Sequence, residues 1–162
     1  MEGGCPRSGD GTLLCPAQLP GAFDPVAAND LIEINSNSHP RVKARVAEVV
    51  VPALAVVIPS VGELYFGAYN SGRVEANVAR VRAFLAPPGP QVLRIDEPAV
   101  EQFGRFKALL RRAGRPIGDI DLFIAGVAVR HGLTVVTNNT DHFARIPDLP
   151  LENWLEPPQG SS

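Results

Sequence analysis

The stretch IDLFIAGVAV, residues 120–129, constrains the fold more than any other. Asp121 is its only charged residue, and Ile120, Leu122, Phe123, Ile124, Ala125, Val127, Ala128 and Val129 leave almost no polar face for water. A helix of this kind is buried nearly all round, so other elements must enclose it. Asp119 and Asp121 stand at its start. A carboxylate beside such a run is costly unless a proton, a cation or hydrogen bonds compensate. The two aspartates therefore need a physical reason.

Around this helix the chain alternates strand and helix patterns. ALAVVIPS (53–60) is a short β-branched run, the pattern of a buried parallel strand. A helix is predicted from Ser60 through SVGELYFGAYNSG. RVEANVARVRAFLA is an amphipathic helix with Val74, Val78, Val81 and Leu85 on one stripe. QVLRI reads as a second strand. The next helix carries Pro98 at its start, basic residues in its last turn and Gly114 as its cap. The buried helix follows and stops at Gly132. LTVVTNN is a third strand, and LENWL closes a fourth short element. This alternation predicts an α/β fold with a parallel sheet, whose ligands bind beyond the carboxyl ends of the strands.

The 162 residues suit one domain. Residues 1–23 are a Gly/Pro-rich leader without period, 24–155 form the domain, and 156–162 read as a flexible tail. Cys5 and Cys15 lie in the leader, away from metal-ligand spacing. The formal charge of −2 gives no global field for nucleic acid, so a polyanion needs a local patch or a metal ion. No apolar run reaches the roughly 18 residues of a membrane span. No basic segment precedes GTLLCPAQLPG, so a secretory signal is not expected and the cytoplasm is.

Several polar residues have competing local explanations. Ser60-Val61-Gly62-Glu63 fits a capping box. Asp119 is expected to cap the helix that follows it. Asp121 then lies in the first turn, where the helix dipole favours negative charge; a metal ion accounts better for its place on so apolar a helix. Asn139 and Asp141 sit in TNNTDHF, which also reads as a polar turn. His39, His131 and His142 read as surface residues, and Trp154 as a packing residue. Neither a phosphate-binding glycine loop nor a GxSxG elbow is present. The chemistry left is that of carboxylates holding Mg²⁺ or Mn²⁺.

The segments IPSVGELYFGAYNSGRVEANVARVRAFL, FGRFKALLRRAGRPIGDIDLFIAGVAVRHGLTVVTNN and FARIPDLPLENW together resemble the PIN-domain toxins of the VapC type. The resemblance implies a three-layer fold, a small parallel sheet flanked by helices. It also implies a Mg²⁺- or Mn²⁺-dependent endoribonuclease, the toxin of a type II toxin–antitoxin pair. Its partners would be RNA and a VapB-type antitoxin, with a possible homodimer. Glu63 matches the glutamate of the family's E-L-x-x-G motif, and Asp121 the aspartate of D-x-x-I-A. Asn139 or Asp141 matches the acidic or amide position after the last strand motif.

The resemblance fails at the start of the chain. Family members open with an apolar strand that ends in Asp-Thr-Asn and supplies the first metal ligand. Counting back from Glu63 places that aspartate at about Ala28, and Pro25 interrupts the strand. Asp30 substitutes if the register slips by two residues, which preserves the strand face. Asp24 is a poorer candidate. The site is thus expected to comprise Glu63, Asp121, Asp30 and Asp141 or Asn139, with Arg111, Arg112 and Arg115 available to steer RNA. A second reading, in which the first ligand is lost, is an impaired PIN domain that acts as an antitoxin-binding module, with the valine stripe at a groove or dimer contact.

Overall fold

The computed structural model describes residues 22–23, 40–48 and 54–155. The elements run β1 (Ala22–Phe23), α1 (Pro40–Glu48), β2 (Ala55–Val57), α2 (Ile58–Tyr69), α3 (Val74–Leu85), β3 (Gln91–Leu93), α4 (Glu97–Arg112), α5 (Asp119–His131), β4 (Val135–Val136), α6 (Thr140–Phe143) and β5 (Leu151–Glu152). The strands form one sheet in the order β3-β2-β1-β4-β5. Every pairing is parallel, with Phe23 level with both Val56 and Val136.

Side chains in a strand alternate between faces, and here both faces are covered. Ala55, Val57 and Val135 join the core made with α4 and α5. Leu54, Val56 and Val136 join a second core with Val42, Leu64, Ala68, Val78, Val81 and Trp154. That double burial explains why β2 and β4 read as unbroken apolar runs. The result is the three-layer fold expected from the sequence. The stripe Val74, Val78, Val81 and Leu85 packs within the second core. Trp154 is 5% exposed, as its reading as a packing residue requires.

The central helix behaves as its composition demands. Leu122, Ile124, Ala125, Val127 and Ala128 are at most 1% exposed, while Ile120 at its start is 37% exposed. Each fully buried Leu or Ile contributes about 1.5–3 kcal/mol by leaving water. Gly132, at φ 64°, ends α5 in the left-handed conformation that glycine adopts without a Cβ clash. Gly114 does the same after α4, whose N-cap Asp96 accepts a hydrogen bond from the Ala99 amide at 3.0 Å.

Several local expectations need correction. β2 is shorter than its apolar run, because Ile58, Pro59 and Ser60 already belong to α2. Pro59 stands in the first turn, where its missing N–H costs nothing. Helix α1 was not expected. β1 lies inside the segment read as leader, so the sheet begins before residue 24. Cys5, Cys15, Asp24, Pro25, Ala28, Asp30, His39 and the tail 156–162 lie outside the described residues. No helix among the described residues is long and apolar enough to cross a membrane.

Candidate metal centre

In a parallel sheet the carboxyl ends of all strands share one edge. The chain leaves β2 there into α2, which carries Glu63, and leaves β4 there into α6. Helix α5 leads into β4 through Gly132, so its own start, with Asp121, returns to the same edge.

Asp121 is the enclosed member, with a side chain 18% exposed. Its Oδ2 lies 2.8 Å from His142 Nδ1. Asn139 Nδ2 lies 2.8 Å from that same Nδ1. The turn that holds these residues is fixed by its backbone. The Asn139 amide donates to Thr137 Oγ1 at 3.0 Å, and the His142 amide donates to the Asn139 carbonyl at 3.2 Å. Thr137 is 1% exposed, so the turn is anchored in the core.

His142 is therefore not the plain surface residue expected from the sequence. The signal for it was its distance from Asn139, one helical turn, which puts both side chains on one face. What the sequence could not supply was the contact with Asp121 across the fold.

Asp119 also departs from expectation. Gly118 is the N-cap of α5 and provides no side-chain cap. Asp119 is the first helical residue, and its carboxylate accepts two hydrogen bonds from Lys107 Nζ at 2.7 and 2.8 Å. The capping box at Ser60 is likewise not formed. Val57 is the N-cap of α2, and Ser60 is fully buried inside the helix. Glu63 is thereby released from the local role: it is exposed and makes no hydrogen bond or ion pair with the described residues. Asp141 is exposed on α6. The structure thus joins Asp121, Asn139 and His142 by hydrogen bonds, and among the described residues no hydrogen bond or ion pair links Glu63 or Asp141 to them.

Among the described residues no three His, Cys, Asp or Glu side chains gather closely enough to hold an ion by themselves. The chemistry of the joined donors nevertheless suits a divalent cation. It offers a half-enclosed carboxylate, an amide and an imidazole at the positive end of a helix dipole that already tolerates anions. Around the loop before α5 the rim is basic. Lys107, Arg111, Pro116, Ile117 and Leu122 line a small cavity of about 180 Å³. Arg145 Nη1 donates to the Pro116 carbonyl at 3.3 Å.

Comparison with known proteins agrees with this architecture. The PIN domain profile matches residues 27–149. The tRNA(fMet)-specific endonuclease VapC of Shigella flexneri is 41% identical over 92 residues, which cover 57% of this chain and 68% of that protein. Ribonuclease VapC2 of Rickettsia felis is 32% identical over 120 residues, or 73% of this chain and 88% of its own length. A chain from the crystal structure of DNA-bound VapBC from Salmonella typhimurium superposes with a TM-score of 0.74 at 32% identity, covering 84% of this chain and 98% of its own. The profile match spans Glu63, Asp121, Asn139 and His142, and relatives and fold agree with it: the chain belongs to the PIN-domain family, with the VapC ribonucleases among its relatives.

Proposed function

We propose that this protein is a metal-dependent endoribonuclease, the toxin of a type II toxin–antitoxin pair. The observation that carries the reading is Asp121. It is a half-enclosed carboxylate at the carboxyl edge of the sheet, joined to His142 and Asn139, in a chain whose relatives are named ribonucleases. The names of solved relatives, VapBC complexes, support a VapB-type antitoxin as partner.

In this reading Asp121 and Glu63 hold Mg²⁺ or Mn²⁺, with Asn139 or Asp141 adding a donor directly or through water. Bound there, the ion would supply Lewis acidity towards water and towards the phosphate oxygens of a phosphodiester. The chain's own residues do the rest. Lys107, Arg111 and Arg145 surround the loop that leads to Asp121 and offer cations to the RNA backbone. The first turn of α5 adds its dipole.

The first acidic ligand comes from the segment after β1. Asp30 remains our assignment, with a competitor raised by the sheet register. Phe23 ends β1, level with Val56 and Val136, and Asp24 is the next residue in sequence. Asp30→Ala and Asp24→Ala, compared in one cleavage assay, separate them. The true ligand costs most of the activity and the other little. If both substitutions are silent in a weakly active wild type, the antitoxin-binding module becomes the better reading.

The decisive variant for the enzyme reading is Asp121→Asn, which keeps the shape and removes the charge. Divalent-dependent RNA cleavage should vanish while circular dichroism is unchanged. Cleavage retained in a folded Asp121→Asn protein would overturn the proposal.

A further inference from the structure

The contacts at His142 raise a question that a protein hydrogen-bond network alone answers poorly. One nitrogen, Nδ1, lies 2.8 Å from Asp121 Oδ2 and 2.8 Å from the Asn139 amide nitrogen. If Nδ1 carries a proton, it donates to Asp121, and the Asn139 N–H then faces another donor. If Nδ1 is bare, it accepts from Asn139, and its lone pair faces a carboxylate. Turning the amide by half a revolution brings its oxygen to the same place, since the two ends of the group are interchangeable in shape. One Nδ1 proton is then divided between two acceptors.

A divalent cation resolves the arrangement better than a proton. Carboxylate oxygen, amide oxygen and bare Nδ1 are all lone-pair donors. Adjacent donors in an octahedral shell with bonds near 2.1 Å sit about 3 Å apart. The 2.8 Å separation of Oδ2 and Nδ1 is close to that edge. His142 is 41% exposed, so Nε2–H can remain in water while Nδ1 turns inward. The backbone supports this pose, because the bonds from Asn139 to Thr137 and from His142 to the Asn139 carbonyl fix the turn.

We infer that His142 Nδ1 is a direct ligand of the divalent ion held by Asp121, and that this nitrogen donor tilts the site towards Mn²⁺ over Mg²⁺. Mg²⁺ takes oxygen ligands and gives up water reluctantly, whereas later divalent metals accept imidazole readily. The inference rests on the metal-dependent reading of the site and deepens it by naming a ligand and a selectivity.

The test uses the full chain without RNA, with Mn²⁺ as probe at one fixed pH. Electron spin-echo envelope modulation of the Mn²⁺-loaded wild type should show directly coordinated ¹⁴N. His142→Ala should lose it, and the preference for Mn²⁺ over Mg²⁺ in competition titration should fall about tenfold or more. His142→Asp should bind Mg²⁺ at least as well as wild type and show no nitrogen. Coordinated nitrogen retained in a folded His142→Ala protein, or absent from the loaded wild type, overturns the inference. The wild-type spectrum decides even if the variants do not fold. RNA cleavage measured in parallel separates the two levels. A wild type that cuts RNA with Mn²⁺ but shows no nitrogen keeps the ribonuclease reading and loses this one. A wild type with nitrogen but no cleavage keeps the ligand and loses the ribonuclease reading.

Discussion

Asp119 and Asp121 flank Ile120 and meet different partners, and this decides their roles. Asp119 pairs with Lys107 in the open, with side chains 57% and 40% exposed. Such a pair contributes about 1 kcal/mol or less. Asp119→Ala should therefore lower stability in urea unfolding by no more than that and leave RNA cleavage near the wild-type rate. Loss of cleavage on that substitution would mean that the wrong aspartate has been placed in the site. The sequence already favoured Asp121, because a carboxylate on so apolar a helix needs a counter-charge. It erred at Asp119, which was expected to cap the helix and pairs with Lys107 instead. Ser60 and Glu63 have capping-box spacing, yet Ile58 and Pro59 open the helix earlier and leave Ser60 in the core. At His142 the neighbour Asn139 was the only local sign, since its other partner, Asp121, is distant in the chain and close only in the fold.

At the scale of elements, α5 is held by an unusually close crossing with α4. A Cβ built on Gly126 would stand 2.5 Å from the Ala99 carbonyl oxygen and 3.3 Å from the Phe103 amide nitrogen. In an open helix, Gly→Ala gains about 1 kcal/mol. Here the obstacle is backbone, which cannot rotate aside, and overpacking costs about 1–3 kcal/mol. Gly126→Ala should thus be destabilising on balance, by about 1 kcal/mol in denaturant unfolding; a stabilised variant would show that α4 yields freely. The helices and most strands were legible because burial on both faces writes itself as apolar runs, and Gly114 and Gly132 stand where the helices end. β1 was not, because Ala22–Phe23 is too short to carry a period and lies in a Gly/Pro-rich segment. Helix α1, only nine residues long (PRVKARVAE), was equally hidden.

For the whole molecule, the formal charge of −2 leaves RNA attraction to a local field. Lys107, Arg111 and Arg145 border the approach to α5, with Arg115 in the same loop. Each cation that meets a phosphate should contribute about 0.7 to the slope of log affinity against log salt on single-stranded RNA. Arg111→Gln and Arg145→Gln, measured by fluorescence anisotropy without divalent ions, should each flatten the slope by about that amount. An unchanged slope would place the RNA elsewhere. The central claim, that Asp121 anchors the divalent ion used in RNA cleavage, meets its most direct test in anomalous diffraction from crystals soaked in Mn²⁺. The account predicts an anomalous peak within coordination distance of the Asp121 carboxylate at the carboxyl edge of the sheet. A protein that cleaves RNA with Mn²⁺, yet binds the ion away from Asp121, would contradict it.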